Sequence, residues 1–203
     1  MATSDLLANV LPRLKELVSE PEPDRQFEIK LLSQQFIDGV AVFFMLDRGD
    51  HYEYVSTADA VDLDDRQVLA AAVANFERLA VSSDGSVLQL ETDAWMLTGL
   101  RGLESSALLA PDYMRAIGFD PDRHGCAVPV RDTFLWFSLE NKDAVALVAN
   151  AAQTAYEEAQ PSERVTAKLL VHSNEASGRY VFWKPADQPR RGWMGRLFGA
   201  GRA

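Results

Sequence analysis

Residues 124–138 read HGCAVPVRDTFLWFS, and the four consecutive bulky residues Phe134, Leu135, Trp136 and Phe137 constrain the fold more than any other feature of the chain. Neighbours in an extended strand point to opposite faces, so Phe134 and Trp136 take one face and Leu135 and Phe137 the other. A strand that is apolar on both faces must be covered on both. The segment CAVPV before it and the Arg131-Asp132 pair between the two runs read as a hairpin. Pro129 borders an edge and Asp132 supplies the turn hydrogen bonds.

The rest of the pattern agrees with layered α+β architecture. VAVFFML, 40–46, is apolar at every position and reads as a central strand. QFEIKLL, 26–32, and HYEYVS, 51–56, alternate on either side of it, with Asp38-Gly39 and DRGD as turns, which predicts an antiparallel meander. A helix is expected over 64–79, with Asp64 and Gln67 at capping-box spacing and Leu69, Val73, Phe76 and Leu79 or Ala80 on its core face. VLQLE and AWMLTG, after the SSDGS turn, read as two further strands. Pro111 opens a short helix that Gly118 closes. Asn141 caps a long helix to Ala159, with Val145, Val148, Ala152 and Tyr156 on one face. VTAKLLVHS and RYVFWKP form a last hairpin. At the amino end, Leu7, Val10, Leu11, Leu14 and Val18 predict an amphipathic helix over 4–18 that Pro12 kinks or ends early. Strands outnumber helices and short turns join them, so a mostly antiparallel sheet with helices packed on one face is expected. One domain over 1–185 accounts for this, with 1–24 as helix and connector, followed by a Gly- and Arg-rich tail over 186–203.

Charge narrows the function. The formal net charge of −10 argues against nucleic acid as a partner, because phosphates would be repelled. A single cysteine cannot make an internal disulfide, so the fold rests on its core, as a reducing compartment permits. The amino terminus lacks the basic start of a signal peptide. The longest charge-free run, the 13 residues Ala144 to Tyr156, falls short of the roughly 20 that a membrane span needs. A cytoplasmic, bacterial-type protein is the expectation.

Candidate sites are few. Cys126 with His124 as base would make a thiol nucleophile, since positions 124 and 126 of a strand share a face. The competing reading, a small residue entering an apolar strand, is preferred because free cysteine is among the most buried types. Asp120, Asp122 and His124 suggest a metal loop, yet Arg131 stands at the twelfth position where a calcium loop needs an acid. The acids of DAVDLDD, 59–65, fail the same test with Ala70 or Val73. They suit a helix start, where they oppose the helix dipole. No metal or cofactor is expected. Neither a Gly-rich phosphate loop nor HExxH, GxSxG or CxxC occurs. Arg131, Asp132 and Trp136 are candidates for a polar-aromatic recognition patch, although a turn with a local ion pair is the preferred reading of Arg131 and Asp132. In the tail, Arg190, Arg191 and Arg196 interleave with Trp193, Leu197 and Phe198. Such a segment suits a partner groove or an anionic membrane surface.

The order of three segments resembles the YtpQ-like family of uncharacterised bacterial proteins over roughly residues 51–184. The positions that carry the resemblance are Ala74, Asn75 and Phe76, then Ser106, Leu108 and Leu109, then Val128, Pro129, Arg131 and Asp132. The resemblance implies a cytoplasmic protein of a family with no established activity, and it supplies no catalytic residues. The sequence therefore points to a non-enzymatic binding or regulatory module that recognises a protein partner. The alternatives are a small thiol-dependent enzyme or hydrolase using Cys126 and His124, and a peripheral membrane protein docking through its tail.

Overall fold

Pro12 decides how the chain begins. A proline at that position clashes with the helical carbonyl four residues earlier and removes a donor, so a helix cannot run through it. In the computed structural model, which describes residues 3–17, 30–173 and 179–183, the first helix α1 (Thr3–Asn9) stops short of it. The early end that Pro12 predicts is found, but strand β1 (Val10–Glu16) follows directly where the rest of the helix over 4–18 is expected. The spacing of Val10, Leu11 and Leu14 suits a strand buried on both faces as well as a helix, which is why the pattern misleads. Asn75 secures the switch: its Nδ2 donates to the carbonyls of Leu7 and Val10 at 3.0 and 2.8 Å. Arg78 in turn donates to the Asn75 amide oxygen.

β1 belongs to a four-stranded antiparallel sheet. Its centre is β3 (Val40–Asp47), the expected all-apolar strand, with β1 on one side and β2 (Ser33–Ile37) and β4 (Tyr52–Tyr54) on the other. Gly39, at φ 75°, makes the tight turn between β2 and β3. The strand before this turn is thus 33–37 rather than 26–32. Leu31 forms only a single bridge to Ser56, and residues 26–29 lie outside the described residues.

The second sheet has six antiparallel strands in the order β10-β9-β7-β8-β6-β5. They are β5 (Ser86–Glu91), β6 (Ala94–Thr98), β7 (His124–Ala127), β8 (Phe134–Ser138), β9 (Leu170–Ser173) and β10 (Arg179–Phe182). Three more α-helices lie among the described residues: α2 (Asp65–Ser82), α3 (Pro111–Ala116) and α4 (Lys142–Glu158). A 3-10 helix, Glu104–Leu109, precedes α3. Asp64 caps α2 by accepting from the Arg66 N–H, and Asn141 caps α4 by accepting from Asp143 and Ala144. The buried face of α2 is Val68, Ala72, Asn75, Phe76 and Ala80, rotated by about one position from the expected stripe.

The α+β class holds, but in two sheets instead of one. β8 divides the interior as its sequence requires. Phe134 and Trp136 enter a core shared with the four-stranded sheet, α2 and α3. Leu135 and Phe137 enter a second core against α4, with Ala144, Val148 and Ala152. The two sheets are joined at the 3-10 helix. There the Ser105 N–H donates to the Arg131 carbonyl at 3.1 Å, and the Ser106 hydroxyl donates to the Pro12 carbonyl at 2.8 Å. No helix among the described residues is long and apolar enough to cross a membrane.

Candidate functional site

The residues that the sequence singles out in β7 and β8 are used up by the fold. Cys126 is 0% exposed and lies in register between Trp136 and Leu170. Burial pushes its thiol far above the ordinary range, which removes the thiolate a nucleophile requires. His124 shares its strand face but not a hydrogen bond. Its Nδ1 accepts from the Asp120 N–H at 2.9 Å, which places the proton of the neutral ring on Nε2. Burial, the largest influence, lowers the pKa of His124. Trp95 and Phe119 pack against the ring at 5.4 and 5.7 Å between centroids. The pair forms no catalytic dyad in this geometry.

Arg131 and Asp132 sit at the join between the sheets. The Arg131 N–H donates to the Glu163 carbonyl at 3.0 Å and its guanidinium pairs with the Glu163 carboxylate at 3.0 Å. Val128 and Pro129 accept from Thr166 and Val165, so 128–131 runs alongside 163–166. Asp132 is exposed in the turn. Trp136 does not meet them at the surface: it is 2% exposed and faces the core, because a strand residue that follows the pleat cannot also reach the turn. A patch combining all three residues is therefore not formed. Arg190, Arg191, Trp193, Arg196, Leu197 and Phe198 lie outside the described residues. Among the described residues, no group of three His, Cys, Asp or Glu side chains is placed to hold a metal.

Two other places carry unmet potential, and neither stands out in the sequence. The first is β5, the end strand of the six-stranded sheet. All six of its residues are exposed, including Val87 (38%), Leu88 (47%) and Leu90 (39%). α4 packs on β6, β7 and β8, and β5 is exposed on both faces. Its only carboxylate is Glu91, and the register irregularity with β6 lies between Gln89 and Glu91, so Val87–Leu90 is an uncharged stretch on an acidic protein. Edge strands that avoid partners usually carry lysine, proline or a central bulge.

The second is a cleft of about 500 Å³ between β2 and β10, the end strands of the two sheets. The Phe36 and Tyr180 rings flank it with centroids 6.4 Å apart, and His172 meets Tyr180 edge-on at 5.8 Å. Buried Met114 and Phe119 form its floor. Burial, above all, raises the Tyr180 phenol beyond its usual range, which keeps it a neutral donor. Gln34 Oε1 and His172 Nδ1 are buried without a hydrogen-bond partner among the described residues.

No family model matches this chain, and neither the curated proteins nor the solved structures yield a match.

Proposed function

We propose that this chain is a non-enzymatic, cytoplasmic binding module that recognises a protein partner by taking an extended segment of that partner onto the free edge of β5. The observation that carries the reading is the exposure of all six β5 residues, three of them large and apolar, at an edge with no neighbouring strand among the described residues. Strand addition supplies affinity through main-chain hydrogen bonds and selectivity through alternate side chains. Leu88 would meet the partner on one face and Val87 and Gln89 on the other, and Leu90, the extra residue between the paired Gln89 and Glu91, marks where regular pairing ends. The absence of charge between Val87 and Leu90 favours an apolar partner segment. The enclosure of Cys126 gives a thiol enzyme less support.

Membership of the YtpQ-like family belongs to the same proposal. Asn75, Ser106, Val128, Pro129 and Arg131 hold the α1–β1 switch and the join between the sheets, so the features shared with such a family would be those of a common fold.

A photo-crosslinking amino acid placed at Leu88 in the source cell tests the reading, with the same group at exposed Val61 as control. A discrete adduct formed from position 88 is expected, absent from position 61 and lost when Leu90→Lys is added. Equal adducts from both positions, or none from 88, would sink it.

A further inference from the structure

We infer that the partner segment taken by β5 is a short apolar strand with a basic residue, arginine or lysine, at each end. The inference rests on the β5 reading and names the chemistry of the partner. The uncharged stretch Val87–Leu90 is bracketed by carboxylates, with Asp84 before it and Glu91 and Asp93 after it. Asp84 and Glu91 are exposed, and neither has an ion-pair partner among the described residues. Arg101 lines a pocket with Asp84, but its guanidinium is engaged by the Asp47 carboxylate at 3.6 Å and donates to the Gly49 carbonyl at 3.3 Å. At the other end, the Asn141 amide donates to the Asp93 carboxylate at 3.1 Å, which ties residues 140–143 to the turn. They add Glu140 and Asp143 against one Lys142. Both ends of the free edge therefore present negative charge, with apolar side chains between them.

That arrangement selects a partner by length and by charge. The bulge at Leu90 confines regular pairing to Ser86–Gln89, so the partner needs only a short ladder. Exposed Leu88 and Val87 offer apolar contact on opposite faces of it. Just beyond the ladder, the partner's own side chains come level with Asp84 and Glu91, which about 20 Å of extended chain separates. A carboxylate there is repelled, a neutral side chain gains nothing, and an arginine or lysine is attracted. Because acids stand at both ends, bases are favoured at both ends whichever way the partner strand runs. A second copy of this chain fits badly. Antiparallel pairing of β5 with itself about Leu88 would set the Asp84 end of one copy beside the Glu91 end of the other, and two chains of net charge −10 repel.

Three heptapeptides with capped termini serve as probes. The first is Arg-Val-Thr-Val-Thr-Val-Arg, the second has citrulline, an uncharged analogue of arginine, at both ends, and the third has glutamate there. Each is titrated into the isotope-labelled full chain and followed by heteronuclear NMR. The arginine peptide should shift the amides of Ser86 to Glu91, with the citrulline peptide about fivefold weaker and the glutamate peptide weaker still. Raising the salt from about 50 to about 500 mM should bring the arginine peptide down to the citrulline level. Asp84→Asn combined with Glu91→Gln should remove most of the arginine preference and leave the citrulline peptide unchanged, whereas Leu88→Lys should abolish binding of all three. Equal affinity for the arginine and citrulline peptides, or a preference untouched by the double substitution, would overturn this inference while strand addition at β5 stood. Shifts at β5 that follow protein concentration alone would make a second copy the occupant and would overturn it too. No shift at β5 with any peptide would take the β5 reading down with it.

Discussion

The centre and the rim of the six-stranded sheet are built from similar residue types and put them to opposite ends. In the centre, the His124 Nδ1 receives the Asp120 N–H, Arg131 is paired with Glu163, and Cys126 and Trp136 are enclosed. At the rim, His172 Nδ1 has no partner among the described residues and β5 is exposed on both faces. The same amino acid is thus structural or available according to whether its polar atoms are already answered. Residue type alone does not decide between them.

Substitutions of the enclosed residues at the centre should weaken the fold most, whereas those at the rim should leave it standing. Trp136→Ala removes the largest fully buried side chain and should cost about 3–5 kcal/mol in urea unfolding. Gly125→Ala comes next. A Cβ there would lie 2.6 Å from the Phe137 ring, and the overpacking should cost about 1–3 kcal/mol by the same measurement.

His124 should leave a smaller, pH-dependent signature. Burial holds its folded pKa below the unfolded value, so its contribution is complete above about pH 6.5 and is lost as pH falls through the folded pKa. Protonation also ends the acceptance of the Asp120 N–H. Melting temperature should therefore decline from neutral pH toward pH 5, and His124→Gln should flatten that decline. A slope unchanged by the substitution would mean that other groups set it.

Arg131→Ala should lower stability by less than about 1 kcal/mol, because its ion pair with Glu163 is more than a third exposed on both sides. Leu88→Lys, at the rim, should stay within about 0.5 kcal/mol of the parent while abolishing the β5 adduct. A large loss of stability there would erase the distinction between centre and rim.

The sequence makes the centre legible for the reason that hides the rim. Four bulky residues in a row at 134–137 cannot be accommodated except in a doubly covered strand, and Asn141 and Asp64 cap helices through their own side chains. Pro12 is harder to read. Its lack of an N–H is incompatible with a helix but tolerable in an edge strand, and only the pairing of β1 with β3 reveals that edge. The cleft depends on what Gln34 and His172 fail to meet. They come from segments about 140 residues apart, and an unmet hydrogen bond leaves no periodicity and no motif. β5 alternates like any half-buried strand, and its exposure goes with its place at the end of the sheet, which the alternation does not encode.

The 3-10 helix 104–109 does two jobs within six residues. Ser105 and Ser106 clasp the two sheets together, and Leu108 and Leu109 stand in the wall of the cleft. One short element thus carries both sets of contacts, so a substitution chosen to loosen the clasp between the sheets also disturbs the wall of the cleft.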